Sequence, residues 1–418
     1  MTLIRSVKDY AKRHQQGLTM TAVVVGGTLL AGQYAAYKWR EAQQEATAER
    51  LAKENLKRRF QQNQKDCIFT VKMLLNTLGE EVLEEFDVET AWRRLQTSRT
   101  LERGRSMESS IESLDSASIS SADDALLPMG VLNKKEKQLI WEEIKIKSFT
   151  RALTCIYSAT LLTLLTHIQV NLLGRFTYIW SVSTLDLSET GIRFQQERNE
   201  SVPHLGFLDP QTERMFLSAS WWLVHHGWKG IAEKVQEAVE EIVTSIPLKS
   251  TLNYQEADAL IQRLRNRIEY RKDAKPTSYR SWMLPDSKLE EIEFMRGAGF
   301  GDDYSYNHSA TISLSKLLNE TRDFIDSPDF QDVLRSCLDE QFEVFDRHVF
   351  FNMLMPLPST VEQGIGEGRK STFANLLPNI SRQAHSVVSG NEYLDTFSYI
   401  KELQAFSALI YTQYGDIL

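Results

Sequence analysis

The chain is poor in the residues that interrupt or cross-link a fold. It has 10 prolines, 20 glycines and 3 cysteines among 418 residues. Few helix breakers, together with long runs of Leu, Glu, Lys, Arg and Gln, favour helix over most of the length. Cys67, Cys155 and Cys337 lie far apart and form no CxxC pair and no Cys/His ligand spacing. We therefore expect reduced, mostly buried thiols on the cytosolic side of a membrane.

Basic charge and catalytic motifs are also scarce. The formal net charge is -8, whereas a nucleic-acid surface needs a basic field over one face. There is no GxSxG, HExxH or Walker motif, and the adjacent His225 and His226 of a helix would point 100° apart, too far for one metal ion. The sequence predicts no nucleic-acid partner, no metal site, no cofactor and no catalytic residue, which leaves an enzyme as the least favoured class.

The N-terminus is the first feature that is present rather than missing. Residues 1–14 carry the basic side chains that we interpret as a targeting segment, Arg5, Lys8, Lys12 and Arg13. Residues 15–37 follow without one charge, and a run of that length crosses ~30 Å of hydrocarbon as a helix in contact with lipid. A cleaved signal peptide is the alternative, which the lack of a small-x-small cleavage site disfavours. Orientation stays open, because both flanks are basic.

The remaining chain predicts an all-α protein. Residues 38–64 form a charged helical stalk, and residues 65–418 a large, elongated helical bundle in the cytosol, since no run of alternating strands occurs. A serine-rich insert at 98–128 interrupts the bundle. Nine serines lie between Ser98 and Ser121, a composition too polar to order itself, so we expect disorder there.

Further helices are predicted along the bundle. Amphipathic spacing predicts helices over Glu256–Arg271, Phe373–Val388 and Glu392–Tyr414. Another helix is expected to start at Pro210, with Asp209 as its cap.

One long helix organises the bundle. From Lys134 to Gly174 no proline or glycine intervenes, which gives a helix of about 60 Å at ~1.5 Å per residue. A helical wheel separates two apolar faces. The broad face predicts core packing and contains Leu139, Ile146, Phe149, Leu153, Ile156, Tyr157, Thr160 and Leu164. The opposite face contains Ile140, Trp141 and Ile144, bordered by Lys137 and Lys145.

That smaller face predicts an exposed apolar patch, which a monomer has little reason to keep. A tryptophan on a helix is often a core residue. It is also the type of anchor that dominates the binding of a helix in a groove. The pattern leaves both interpretations of Trp141 open.

The stretch from Ala152 to Gly174 is a second run of 23 residues without charge, so a second membrane span is an alternative. Its polar side chains are costly to leave against lipid. They include Thr154, Ser158, Thr160, Thr163, Thr166, His167, Gln169 and Asn171. Their density favours a core helix, with hydroxyl groups bonded to the preceding turn or to neighbours.

Several ordered segments carry a family resemblance. They are IWEEIKIKSFTR at 140–151, YSATLLTLLTHIQVNLLG at 157–174, LLNETRDFIDSPDF at 317–330 and LLPNISRQAHSVV at 376–388. Together with the basic SVKDYAKRH at the N-terminus, they resemble the peroxisomal biogenesis factor 3 family, also called peroxin-3. The likeness covers most of the chain and fails mainly over the serine-rich insert, residues 186–203 and residues 272–309.

The resemblance implies a single-pass docking protein of the peroxisomal membrane, with its short N-terminus in the matrix and its helical domain in the cytosol. It leaves the endoplasmic reticulum open as a transient location. Its implied partner is the cargo chaperone peroxin-19, whose amphipathic N-terminal helix would dock on the helical domain so that peroxisomal membrane proteins can be inserted.

The resemblance also implies the residues of the docking site. The binding tryptophan of the family matches Trp141, the lysine one turn earlier matches Lys137, and a leucine on the preceding helix matches Leu95. The family pattern LAKIIP is FANLLP here, so Leu376 and Leu377 keep an apolar wall while Asn375 stands where a lysine is expected. We predict a groove centred on Trp141 and walled by the apolar side chains Leu95, Ile140, Ile144, Leu376 and Leu377.

A second function class stays open beside docking. The protein could act as a tether or adaptor that recruits inheritance or autophagy factors, and the serine-rich insert offers a surface for them.

Overall fold

The fold is given by a computed structural model that describes residues 50, 54–112, 132–189, 208–301, 308–355, 369–390 and 392–412. The chain divides into two units, Met1–Gln61 and Gln62–Leu418. In the first unit, residues 54–61 are helical. The predicted targeting segment 1–14, the membrane span 15–37, most of the stalk 38–64 and residues 113–128 of the insert lie outside the described residues.

The described part of the second unit is built from helices, which confirms the all-α prediction. In chain order they are α1 (62–85), α2 (Glu89–Glu112), α3 (Lys134–Glu189), α4 (Pro210–Leu217), α5 (Ser220–Trp222), a π-helix (Leu223–Gly227), α6 (Trp228–Val243), α7 (Tyr254–Glu269), α8 (Arg280–Met283), α9 (Lys288–Gly297), α10 (His308–Asp326), α11 (Pro328–Asp346), a second π-helix (Arg347–Phe351), α12 (Asn352–Leu354), α13 (Phe373–Ser389), α14 (Glu392–Phe397) and α15 (Lys401–Thr412). Two short strands, β1 (Thr251–Leu252) and β2 (Ser371–Thr372), pair antiparallel.

Helix α3 is the axis of this unit, packed chiefly against α13, α6 and α15. Its part from Lys134 to Phe176 is long and apolar enough to span a membrane, with a mean hydropathy of 1.4, but 94% of its most apolar window is buried in protein. A helix that is apolar all round is one that neighbours cover on every side. The burial agrees with the core interpretation of residues 152–174.

Several polar side chains inside this axis bond to their own helix or to a neighbouring one, whereas the hydroxyls of Ser148, Thr150, Thr154 and Ser158 have no partner among the described residues. The hydroxyls of Thr160, Thr163 and Thr166 each donate to the carbonyl four residues earlier at 2.8 Å. Gln169 donates to the Phe216 carbonyl at 2.6 Å, and His167 lies 3.0 Å from the Ser407 hydroxyl. Burial lowers the pKa of His167 to about 4, so the ring is neutral at physiological pH. These hydrogen bonds offset most of the free-energy cost of burying the polar groups that form them.

Helix α3 is longer than the sequence predicts, because it continues past Gly174 to Glu189. A Cβ atom at Gly174 would come within 2.0 Å of the Asn63 side chain and 2.7 Å of the Tyr411 ring. The glycine therefore permits close helix packing rather than ending the helix.

The predicted disorder from Ser98 onward is also corrected over its first part, since α2 runs to Glu112. The Ser98 side chain is buried, and its hydroxyl accepts a hydrogen bond from the Leu132 backbone N–H at 3.1 Å. Serine content alone predicted a solvated segment, whereas the buried Ser98 side chain joins α2 to Leu132, two residues before the start of α3.

The three thiols are buried and free, as the sequence predicts. Burial raises the pKa of Cys155 to about 12 and also raises the pKa values of Cys67 and Cys337. All three are therefore protonated and poorly nucleophilic.

Candidate functional site

The first turns of α3 begin at a capping box. The Glu136 backbone N–H donates to the Asn133 side chain at 2.8 Å, and the Asn133 N–H donates to the Glu136 carboxylate at 2.8 Å. Reciprocal bonds of this kind satisfy two of the free donors at a helix N-terminus. They fix the position of Lys134 and so the direction in which the following side chains point.

These turns face the opposite way from the wheel prediction. Ile140 and Ile144 are buried in the core, whereas Leu139, predicted to be a core residue, is 70% exposed. Trp141 is half-buried and packs against the core. The deeper part of α3 is covered on all sides, so its apolar stripe carries no information about which side of the first turns is covered. Ile140 and Ile144 are therefore core residues and do not form walls of a surface groove.

Trp141 is held by a second tryptophan that the sequence did not single out. Trp92 of α2 meets it edge to face, with ring centroids 5.1 Å apart and planes at 83°. This arrangement is among the favourable ones for aromatic pairs. Trp92 is also half-buried, so the two rings form one rigid aromatic pair at the surface. The two tryptophans are separated by 48 residues of sequence, so no local pattern could reveal their contact.

The two lysines that border Trp141 have different roles. Lys137, half-buried, forms an ion pair with Glu102 of α2. Lys145 is buried, and its ammonium group donates to the carbonyls of Thr244 and Ile246 at 3.3 and 3.0 Å and pairs with Glu142 at 2.5 Å. Lys145 thereby satisfies carbonyls just beyond the end of α6. Lys137 alone of the two stays near the surface.

The start of α13 supplies one exposed predicted residue. Leu376 and Leu377 are buried in the core, which corrects their assignment as walls, while Asn375 is exposed. The segment is held in place because Phe373 N–H donates to the Ser250 carbonyl at 2.9 Å, next to the β1–β2 pair. Leu95, on α2, is half-buried against the core.

A buried arginine joins α2 to α3 and α13. Arg151 of α3 is buried and donates two hydrogen bonds to the Glu89 carboxylate, at 2.7 and 2.9 Å, and one to the Ser381 carbonyl at 3.2 Å. His385 lies 3.2 Å from the same carboxylate. Partial burial disfavours the charged carboxylate, but the hydrogen bonds and charge of Arg151 outweigh it and lower the pKa of Glu89 to about 2. A bidentate pair of this kind fixes orientation as well as charge.

Open grooves lie on both sides of α2. One, of about 390 Å³, runs between α2 and α13. Its lining is Glu89, Trp92, Gln96, Arg151, Pro378, Ser381, Arg382 and His385. The other, of about 340 Å³, is lined by Thr90, Arg93, Arg94, Thr97 and Leu132. Helix α2 therefore stands as a ridge beside the aromatic pair, with room for side chains along each flank.

Fold and site define an all-α scaffold in which one central helix presents an aromatic pair beside open grooves. No group of three metal-ligating side chains lies together in the part of the chain that the structure describes. The profile of the Peroxin-3 family matches residues 9–413. The chain belongs to the Peroxin-3 family, a family of peroxisome biogenesis factors.

Two relatives match over nearly the whole length and a third over about half of it. The chain is 29% identical to peroxisomal biogenesis factor 3 of Yarrowia lipolytica, over 97% of this chain and 99% of that protein. It is 26% identical to the Homo sapiens protein of the same name, over 99% of this chain and 98% of that protein. A peroxisomal membrane protein PEX3 of Komagataella phaffii is 33% identical over 56% of this chain and 52% of its own length.

Proposed function

We propose that the protein is a docking receptor for the cargo chaperone peroxin-19 at the peroxisomal membrane. The observation that carries the proposal is the aromatic pair, because two half-buried tryptophans locked edge to face form a rigid surface anchor. Rigid aromatic anchors next to pockets are typical of interface hot spots. Family membership and the relatives' names support the peroxisomal setting.

The binding mechanism is association without chemistry. An amphipathic helix of the chaperone lays its apolar face on Trp141 and Trp92. In this proposal the half-buried Lys137 and the exposed Asn375 form the polar rim of the site. The chaperone is thereby held near the bilayer, where its cargo is inserted. Residues 15–37 anchor the receptor as a single span, with residues 1–14 in the matrix and the helical unit in the cytosol.

Replacing Trp141 with Ala tests the proposal. We expect the affinity for a synthetic peptide of the chaperone's N-terminal helix to fall by about 2 to 4 kcal/mol, measured by calorimetry on the full chain in detergent. Folding should be nearly intact, because Ile140 and Ile144 keep the local core filled.

The matched control is Trp221→Ala, since Trp221 is also half-buried but lies on α5. It should leave the affinity unchanged. Equal affinities of wild type and Trp141→Ala would refute the assignment, and a large fall in melting temperature with Trp141→Ala would identify the residue as a core side chain only.

The adaptor function remains a prediction from the serine-rich insert, of which residues 113–128 lie outside the described residues. It is compatible with docking, because it uses another surface.

A further inference from the structure

The groove between α2 and α13 contains an arginine, Arg382, that has no ion-pair partner among the described residues. Arg382 is exposed on α13 and lines this groove. Within the described ranges, its guanidinium group forms no hydrogen bond and no ion pair. By contrast, the second arginine of the groove, Arg151, forms an ion pair with the Glu89 carboxylate at 2.7 Å.

The charge of this groove is positive once its internal pair is accounted for. Arg151 and Glu89 neutralise each other through two hydrogen bonds. Arg382 then remains as the unpaired charge of this groove among the described residues. The protein as a whole carries a formal net charge of -8, so this positive groove stands out against the average and favours an acidic ligand group.

The groove is continuous with the aromatic pair. Trp92 contacts Trp141 on one side and lines the groove on the other. On α13, Arg382 follows Asn375 by seven residues, which places both on one face of the helix about two turns, or ~10 Å, apart. A helix lying on the aromatic pair can therefore extend over the groove.

We propose that the groove between α2 and α13 is a carboxylate subsite of the docking surface, in which Arg382 pairs with an Asp or Glu side chain that flanks the apolar anchor of the docked helix. This inference rests on the proposed docking function. Arg382 supplies the basic contact that Asn375 does not. The apolar anchor sets the affinity at Trp141, and the carboxylate sets the position of the helix along the ridge.

The test is a charge reversal combined with a scan of the ligand. The probe is the synthetic N-terminal helix of the chaperone, with a series of peptides in which one Asp or Glu at a time becomes Asn or Gln. Its affinity is measured for the wild-type full chain, for Arg382→Glu and for Arg263→Glu. Arg263 is a matched control, since it is exposed but lies on α7. The melting temperature of each variant is compared with wild type, and Arg382→Gln repeats the test without an added negative charge.

We expect Arg382→Glu to weaken binding about tenfold, with a smaller loss for Arg382→Gln and less than a twofold change for Arg263→Glu. One peptide lacking a single carboxylate should bind wild type and Arg382→Glu equally, which identifies the pairing residue. The difference between wild type and Arg382→Glu should shrink as salt rises.

Equal effects of Arg382→Glu and Arg263→Glu would overturn the subsite. If Trp141→Ala still abolished binding in that case, the docking function would stand without it. A wild-type chain that did not bind the peptide at all would overturn both.

Discussion

The first turns of α3 and its deeper stretch contrast within one helix. Residues 134–147 have one side in the core and one side in solvent, and they present Trp141 and Lys137 to the surface. Residues 148–173 are buried on nearly every side, although they contain many hydroxyl and amide groups. Helix α3 therefore has one partly exposed end that can bind a partner and one enclosed end that holds the bundle together.

The largest effect should come from breaking the ion pair that ties α2 to the enclosed stretch, in which the arginine is buried and the glutamate is half-exposed. Glu89→Ala leaves the Arg151 guanidinium group buried without its counter-charge, which we expect to lower the free energy of unfolding by about 4 kcal/mol. Glu343→Ala is the control, because its partner Arg347 lies 3.0 Å away but is 49% exposed. That change should cost less than about 1 kcal/mol. Chemical denaturation of both variants compares the two pairs, and equal losses would show that Arg151 is not isolated from water.

A pair of leucine truncations compares the two parts of α3 directly. Leu164 is fully buried and Leu139 is 70% exposed. Leu164→Ala should lower the free energy of unfolding by about 3 kcal/mol through the cavity that it leaves. Leu139→Ala should change it by no more than about 0.5 kcal/mol. A stability loss at Leu139 as large as that at Leu164 would restore the original wheel assignment.

Acid should weaken the enclosed stretch through His167. Its pKa in the folded protein is about 4, against 6.5 for an unperturbed histidine. The unfolded state therefore binds the extra proton between these values, and the free energy of unfolding falls as pH decreases from 6.5 to 4, by roughly 2 to 3 kcal/mol in total. His167→Gln should lose this part of the pH dependence while keeping the part due to carboxylates. Parallel stability curves for the two proteins over this interval would contradict the assignment.

The smallest effect should come from the hydrogen bond between Ser98 of α2 and Leu132, just before α3. Ser98→Ala removes the acceptor of the Leu132 N–H, which we expect to cost about 1 kcal/mol. Thr97→Ala is a control on an exposed neighbour whose hydroxyl bonds only within α2. Hydrogen exchange at the Leu132 amide should increase in the Ser98 variant and not in the control. Unchanged exchange would mean that another group protects this amide.

Local pattern predicted most helices of the fold to within a few residues. The helix predicted from Phe373 to Val388 spans Phe373–Ser389, and the one predicted from Glu256 to Arg271 spans Tyr254–Glu269. Asp209 and Pro210 mark the start of a helix as predicted, but the Asp209 side chain makes no capping hydrogen bond. The helix predicted from Glu392 to Tyr414 is two helices instead.

The site was less predictable, because its contacts join distant parts of the chain. Trp141 and Lys137 are half-buried, and their part in docking stays a prediction, whereas Trp92 and Arg382 carry no local signal. Ile140 and Ile144 were assigned to the wrong side because the wheel averaged over a stretch that is covered all round. A buried isoleucine can be told from an exposed one only when the elements that pack on each side of α3 are known.

The enclosure of Lys145 makes this side chain a chemical reporter. An amine with no exposed surface, whose hydrogens bond two carbonyls and a carboxylate, cannot be acetylated or labelled while the first turns of α3 stay packed against the end of α6. Lys135, exposed two turns and more earlier on the same helix, would react at the rate of a free amine. The ratio of labelling at these two lysines therefore measures how often the surface beneath Trp141 opens, in the bound and the unbound receptor alike.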